Sequence, residues 1–324
     1  MLRPEGLLFR AMKIVVFGVG GVGAYFGGRL AEAGEDVVFI ARGAHLEAMR
    51  SAGLRVDSPQ GDFVLNPVNV TDNPAEAGIA DVVLLGVKTW QVREAADALK
   101  PMLGAKSLVV PLQNGIDTPR VLAEVLGEAR VLGGACGIFA YIEGPGHVVH
   151  GGVDPYIQFG ALHPTSNENI ELLCAAFNRA KGVVAEVADD MQASMWQKFL
   201  AVAPIGAVGA ITRVPMGVML ADPATSRLIE QAKREIWEVG RALGVNWAED
   251  ALARVTAQHA QAPPETTASM QRDIMQGRPS ELEAQVGAIV KLGGQVGVDT
   301  PVNRFIYDCL MPQERRARKD GARA

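Results

Sequence analysis

The sequence predicts an α/β fold in two parts: an N-terminal domain built on a parallel sheet over residues 12–187, and an all-helical domain over residues 188–314. In the first part, short β-branched runs alternate with helical patterns, which is typical of a parallel sheet covered by helices on both faces. A glycine-rich segment follows the first of these runs, and from about Asp189 onwards the patterns are only helical. A chain of 324 residues is also long enough for two domains.

The strands of the N-terminal part are predicted from apolar, β-branched runs. The first, KIVVF over residues 13–17, is typical of a strand buried on both faces. Further strands are predicted at residues 36–40, 81–86, 107–111 and 131–134. Helices between them are predicted at residues 24–33, 91–99 and 118–126. Residues 54–70 resemble a hairpin instead, because Ser58-Pro59-Gln60-Gly61 has the composition of a turn.

The helical domain is predicted from apolar residues that recur every three or four positions. One such stripe runs from Leu228 to Leu243, and residues 250–259 and 282–292 show the same spacing. The apolar run over residues 199–211 is shorter than the ~20 residues that span a bilayer, and it contains Pro204, so we expect a buried, kinked core helix. Residues 1–11 and 315–324 are predicted to be loose, with the basic residues 315–319 in a frayed tail.

Composition excludes several functional classes. A net charge of −5 argues against non-specific nucleic-acid binding. The three cysteines include no CxxC pair, which indicates a reducing compartment and neither a disulfide framework nor a zinc site. The five histidines show no ligand spacing, so no metal is expected. The first eleven residues lack the apolar core of a signal peptide, and we expect a cytoplasmic protein with no membrane partner.

The glycine-rich segment is the strongest motif in the chain. Gly18, Val19, Gly20, Gly21, Val22 and Gly23 form a GxGxxG sequence between the first strand and the first helix. In Rossmann-type domains the first glycine permits a tight turn, the second lets the backbone approach a pyrophosphate, and the third allows close packing of the helix. A simple tight turn would leave the third glycine unexplained. The segment therefore predicts a dinucleotide-binding site.

The end of the second strand indicates which dinucleotide is bound. NAD-binding domains carry an acidic residue there to hold the ribose hydroxyls, but this strand ends in Ala41-Arg42-Gly43. The guanidinium of Arg42 can bind a 2′-phosphate with two parallel hydrogen bonds, which favours NADP. The alternative is an ordinary surface arginine.

Two polar residues follow later strands. Lys88 comes directly after residues 81–87, and Asn114 lies in a Gln-Asn-Gly sequence after residues 107–112. Ligands of open α/β sheets bind at the carboxyl ends of the strands, so both positions are candidates for the site. Each residue alone could equally be a loop residue, since Asn-Gly is a common turn dipeptide.

Taken together, these motifs resemble the ketopantoate reductases, two-domain NADP-dependent enzymes that reduce 2-dehydropantoate to pantoate. The resemblance rests on GVGGVG, ARG, VKTWQV and QNG, and it continues with Trp196-Gln197-Lys198, with Ser269-Met270-Gln271-Arg272-Asp273 and with Glu281. It covers the chain from residue 12 to about residue 311. The set of ordered motifs is more specific than any one of them.

The resemblance implies a role for each matched residue. Lys198 matches the catalytic lysine, which donates a proton to the carbonyl oxygen as hydride arrives at carbon. The alternative is a lysine whose stem lies on the core while its amine reaches water. Lys88 and Asn114 match residues on the nicotinamide side, and Ser269 matches the serine that holds the substrate carboxylate. Glu281 matches a glutamate near the ribose and the catalytic lysine.

Two matched positions are less distinctive. Glu281 could simply be a favourable acid in the first turn of a helix, with Ser280 and Glu283 forming a capping box. Ala140 aligns loosely with a position whose backbone contacts the cofactor.

The chain departs from the family at its substrate-reading asparagines. Ketopantoate reductases have asparagines four and eight residues after the lysine, and another further on. Here these places hold Val202, Gly206 and Met216. Positions i+4 and i+8 share a helix face with the lysine, so the wall of the substrate site is expected to be apolar. Such a wall suits the ketopantoate hydroxyl less well and favours a bulkier or more apolar 2-oxo acid. Arg213 could replace the lost contacts, or it could be a helix-terminal cation.

We therefore expect NADPH-dependent reduction of a 2-oxo acid, with a small-molecule substrate and an enzyme that could form a homodimer through its apolar helix faces. A reductase in pantothenate synthesis and a reductase of a more apolar acid are both open alternatives. A third is a non-catalytic NADP-binding sensor, against which the retained Lys198, Ser269 and Glu281 argue.

Overall fold

The computed structural model describes residues 11–165 and 167–321, so the loose segment predicted at residues 1–11 lies almost entirely outside the described residues. The described chain divides into two compact units. The first comprises the residues up to Val87 together with Gln91–Gln113 and Arg120–Asp189. The second comprises the residues from Asp190 onwards together with two short segments, Lys88–Trp90 and Asn114–Pro119.

The first unit alternates strands and helices, as predicted. In chain order its elements are β1 Lys13–Phe17, α1 Gly21–Glu32, β2 Asp36–Ile40, α2 Gly43–Ala52, β3 Leu54–Asp57, β4 Phe63–Leu65, β5 Val70–Thr71, β6 Ala80–Leu85, α3 Val92–Leu99, β7 Leu103–Pro111, α4 Thr118–Leu126, β8 Leu132–Gly137, β9 Ala140–Gly144, β10 His147–His150, β11 Tyr156–Ala161, α5 Asn169–Arg179 and β12 Val184–Val187. A parallel sheet in the order β5-β2-β1-β6-β7 forms its centre.

The central sheet is buried on both faces, which explains the near-continuous apolar runs of its strands. Along β1, Ile14 and Val16 belong to one apolar cluster, whereas Val15 and Phe17 belong to another. The predicted hairpin is confirmed: β3 and β4 pair antiparallel, and the Gly61 N–H closes the turn on the Ser58 carbonyl at 2.8 Å.

Two smaller sheets accompany the central one, in the orders β4-β3-β10-β9 and β12-β11-β8. Their strands from β9 onwards, and helix α5, were not predicted. Two predictions differ from the structure: the strand predicted at residues 131–134, and the extension of the hairpin to residue 70. The first is β8, which pairs antiparallel with β11, and Val70 lies in β5, a separate strand parallel to β2.

The second unit is helical, as predicted. Its elements are α6 Met191–Thr212, α7 Met216–Ala221, α8 Pro223–Ala242, α9 Ala251–Gln261, α10 Ser269–Met275, a π-helical turn Glu283–Gly287 that continues into α11 Ala288–Val296, and α12 Pro301–Gly321. The apolar run lies in α6, which Asp190 caps through the Ala193 N–H at 2.9 Å. This helix is long and apolar enough to cross a membrane by length and composition alone, but 67% of its most apolar window is buried inside the structure.

The frayed basic tail predicted at residues 315–319 is wrong, because these residues form the last turns of α12. The buried Glu314 carboxylate accepts hydrogen bonds from the Ser280 N–H at 3.1 Å and the Ser280 hydroxyl at 2.5 Å. Arg318 lies 2.8 Å from the same carboxylate, and Ala317 is buried. These contacts hold the end of the helix against the rest of the second unit.

Candidate active site

The glycine-rich loop of the first unit has the geometry that dinucleotide binding requires. Gly18 has a φ of +99°, and a Cβ atom there would lie 2.6 Å from the Val87 nitrogen. A Cβ atom at Gly23 would lie 2.2 Å from the Gly18 carbonyl oxygen, so only glycine lets α1 pack this closely. In contrast, a Cβ position at Gly20 has no atom of residues 11–165 or 167–321 within 4 Å, and no side chain from these residues caps α1 there. The helix N-terminus is therefore open to a phosphate group. Val19 is buried and Val22 half-buried within the same loop.

Ala140 lies beside this loop. A Cβ atom on Gly21 would be 2.4 Å from the Ala140 carbonyl oxygen, so the start of β9 touches the first turn of α1.

Arg42 directly precedes α2 and lies two residues after the carboxyl end of β2, a strand of the central sheet. It is exposed, and its guanidinium has no hydrogen-bond or ion-pair partner within residues 11–165 and 167–321. A free guanidinium at this position has all its donors available for a phosphate.

The second unit brings Lys88, Lys198 and Glu281 together. Glu281 is only 8% exposed. Burial raises the pKa of its carboxyl above the ordinary value, while the Lys88 ammonium, the Thr89 backbone N–H and the Lys198 ammonium act in the opposite direction. A buried carboxyl beside two ammonium groups is a site that can hold and move protons. Lys198 itself is half-buried on α6.

Asp273 is a member of this cluster to which the sequence analysis assigned no role. Its carboxylate lies 3.4 Å from the Lys88 ammonium and 2.7 Å from the Arg278 guanidinium, and its charge adds to the rise in the pKa of Glu281. The sequence signal that could have pointed to Asp273 is its position four residues after Ser269, which puts both residues on the same face of α10.

Asn114 lies in a loop near the turn that follows Glu281, and Ser269 lies one helical turn before Asp273. The loop of Asn114 touches the turn after Glu281, because a Cβ atom on Gly115 would lie 3.1 Å from the Ala284 carbonyl oxygen. Ser269 is the first residue of α10 and is half-buried.

The capping box predicted for Ser280 and Glu283 does not form. The Ser280 hydroxyl instead donates to Glu314, and Glu283 is exposed and lies 3.9 Å from Arg318. Arg213 ends α6 in the left-handed region at a φ of 61°, is exposed, and donates to the Met275 carbonyl at 3.2 Å, as a helix-terminal cation does.

The α6 face after Lys198 is apolar where the family has asparagines. Val202 is half-buried, and Gly206 and Met216 are buried. A Cβ atom on Gly206 would lie 3.0 Å from the Met270 methyl group, 3.4 Å from the Ala268 Cβ and 3.7 Å from the Gln285 side-chain oxygen. One polar group, the Gln285 amide, thus borders this part of the wall.

Comparison with known proteins identifies two family regions. The family described as ketopantoate reductase PanE/ApbA matches residues 14–164, and its C-terminal counterpart matches residues 190–314. A 2-dehydropantoate 2-reductase of Mesorhizobium japonicum is 30% identical over 90% of this chain and 94% of its own length. The crystal structure of a PanE/ApbA family ketopantoate reductase from Ralstonia eutropha is 31% identical, with a TM-score of 0.86 over 95% of this chain and all of that chain.

A more distant structure shares the fold. The ternary structure of D-mandelate dehydrogenase with NADH and anilino(oxo)acetate superimposes with a TM-score of 0.85 over 95% of this chain, at 20% identity.

Proposed function

The chain belongs to the ketopantoate reductase family, and on that premise we propose that it reduces a 2-oxo acid to a 2-hydroxy acid with NADPH. It is an oxidoreductase that acts on CH–OH groups, as its relatives are. The observation that carries the proposal is the buried Glu281 carboxyl beside the ammonium groups of Lys88 and Lys198.

The glycine loop and Arg42 support NADPH as the cofactor. The open N-terminus of α1 at Gly20 suits the pyrophosphate, and the Ala140 backbone borders the same loop. The unpartnered Arg42 guanidinium suits a 2′-phosphate, which NADH lacks. When bound, the reduced nicotinamide supplies the hydride that is added to C2 of the substrate.

The second unit supplies the remaining groups. Lys198 gives its proton to the carbonyl oxygen as C2 gains the hydride, so that C=O becomes CH–OH. The Glu281 carboxylate holds the two ammonium groups in place, and the Lys198 amine regains its proton from water afterwards. Ser269 and Asn114 orient the substrate, and Ser269 does so by binding the substrate carboxylate. Lys88 and Asn114 lie on the nicotinamide side.

The family substrate, 2-dehydropantoate, and a more apolar 2-oxo acid are the two candidate substrates. Val202, Gly206 and Met216 favour the second, because they remove three polar side chains from the wall. A non-catalytic sensor of NADP is the other candidate function. Retention of Lys198 and Glu281 in one cluster argues against it.

The test is the rate of NADPH oxidation by the purified protein with a panel of 2-oxo acids that includes 2-dehydropantoate and branched and aromatic acids. We expect turnover with at least one acid, and a lower KM for NADPH than for NADH. Binding of NADPH without turnover of any acid would favour the sensor. Analytical ultracentrifugation would test the proposed homodimer. Localisation of the protein in cells would test the proposed cytoplasmic location.

A further inference from the structure

Gln285 is a buried amide without a partner. It is 1% exposed, and neither its oxygen nor its nitrogen has a hydrogen-bond partner in the part of the chain that the structure describes. Gln271, a buried amide of the same unit, donates to the Val214 carbonyl at 2.9 Å and accepts from the Ala268 N–H at 3.3 Å. An unsatisfied buried amide is costly, so its presence in a folded enzyme needs an explanation.

The position of Gln285 links it to the candidate active site. It follows Glu281 by one helical turn, and its N–H donates to the Glu281 carbonyl at 2.9 Å. It lies in the π-helical turn Glu283–Gly287, and such turns are frequent at functional sites. Its oxygen is 3.7 Å from the Cβ position of Gly206, which is on the Lys198 face of α6. The amide therefore lies beside a place where the family has an asparagine.

The surroundings of the amide define the ligand group that it can bind. The Met270 methyl group and the Ala268 Cβ are the two other atoms nearest to the Gly206 Cβ position, and both are apolar. A charged group would be costly to bury there, whereas a hydroxyl can both accept from the amide nitrogen and donate to the amide oxygen. The flexible end of Met270 is the atom that must move to admit it.

We propose that Gln285 is a specificity-determining residue, whose amide binds a hydroxyl group on the side chain of the 2-oxo acid. The inference rests on the proposed function. One helical turn, about 5.4 Å, separates Gln285 from Glu281, so the hydroxyl lies a few bonds from the reacting carbonyl. The preferred acid then combines apolar bulk, which Val202, Gly206 and Met216 accommodate, with one hydroxyl at Gln285, and the same acid without the hydroxyl is a poorer substrate.

The test compares two substrates that differ at one group: 2-dehydropantoate and its analogue with a methyl group in place of the hydroxyl. We measure kcat/KM with NADPH for the wild type and for Gln285→Met, which conserves side-chain volume and removes both polar atoms. The wild type should prefer the hydroxyl-bearing acid by about 10- to 100-fold. In Gln285→Met this preference should fall to within about twofold, mainly through slower reduction of the hydroxyl-bearing acid.

Stability separates substrate binding from a structural role. Because the amide has no protein partner, Gln285→Met should leave the denaturant midpoint of unfolding unchanged or raised. The matched control is Gln313→Met, which removes an amide that donates to the Ile274 carbonyl; it should lower the midpoint and keep the substrate preference.

The outcomes distinguish the inference from the proposed function. A wild type without preference, or a preference that survives in Gln285→Met, would overturn the inference while the enzyme still reduces 2-oxo acids. A wild type that fails to oxidise NADPH in the presence of every 2-oxo acid tested would overturn both the inference and the proposed function.

Discussion

Glu281 is the residue around which the candidate site is organised. Its carboxyl is buried, and the two ammonium groups near it offset only part of the cost of that burial, so its pKa remains raised. A buried carboxyl that costs stability in this way is typical of a functional site.

The raised pKa of Glu281 makes a prediction about stability and pH. The folded state holds this proton more tightly than the unfolded state, so the contribution is present below the ordinary pKa of 4.5 and is lost as pH rises through the folded-state value. Glu281→Gln should therefore unfold at higher urea than the wild type at pH 7, and the difference should shrink towards pH 4. The exposed Glu283→Gln is the control and should follow the wild type. A difference that grows as pH falls would contradict the assignment.

Arg42 makes a prediction about cofactor choice. If its guanidinium binds the 2′-phosphate, Arg42→Ala loses charge-assisted hydrogen bonds and should raise the KM for NADPH by about 10- to 100-fold. The KM for NADH should change little. The control is Arg50→Ala, on helix α2 directly after Arg42, because Arg50 is paired with Glu47 and Asp72. Equal effects on the two cofactors would show that Arg42 does not read the phosphate.

Sequence motifs predict the candidate site residues that lie in distinctive patterns. Lys88, Lys198 and Glu281 were singled out, and the structure brings them together, although their roles remain predictions. Asp273 and Gln285 were assigned no role. Asp273 joins the candidate site through its contact with Lys88, which is 185 positions away in sequence. Gln285 joins it through its proximity to Gly206. Contacts of this kind depend on packing and leave no local signal.

At the scale of elements, α6 is both a core helix and one wall of the site. Its glycines allow neighbouring side chains to approach closely. A Cβ atom on Gly209 would lie 2.5 Å from the Gln271 side-chain oxygen, and Gln271 cannot move freely because its amide is hydrogen-bonded to Val214 and Ala268.

Gly209→Ala should therefore lower the free energy of unfolding by about 1–3 kcal/mol, as overpacking in a core does. Gly294→Ala is the matched control, because Gly294 lies exposed in α11 with no atom within 4 Å of a Cβ position. Because alanine has a higher helix propensity than glycine, Gly294→Ala should raise the free energy of unfolding by up to about 1 kcal/mol. Denaturant unfolding measures both, and a stabilised Gly209→Ala would mean that the close contact is absent.

The elements that sequence predicted best are those with the strongest local patterns. Strand β1 and helix α4 begin and end where predicted, because apolar runs and turn residues mark their limits. Strands β9 to β12 were missed because their side chains are partly exposed and their pairing joins distant segments. The last turns of α12 were missed because their stability comes from Glu314 and Ser280 rather than from local charge.

For the whole molecule, each unit has its own apolar interior, and the predicted fold class is confirmed. The first unit carries the open glycine loop and Arg42, whereas the second carries Lys198, Glu281 and Gln285. The proposed function therefore places the residues that bind the cofactor phosphates in the first unit and the proton donor in the second. A substitution at the proton donor should therefore leave the affinity for NADPH measurable, and a substitution at the phosphate-binding residues should leave turnover measurable.

The most direct test of this account is Lys198→Ala, with turnover and NADPH affinity measured on the same preparation. We predict that kcat for the best 2-oxo acid falls by about 100- to 10,000-fold, the usual contribution of a positioned proton donor, while the Kd for NADPH stays within about twofold of the wild type. Lys291→Ala, at an exposed lysine of α11, is the control and should keep full activity. Turnover that survives in Lys198→Ala, or an equal loss of NADPH affinity, would contradict the account.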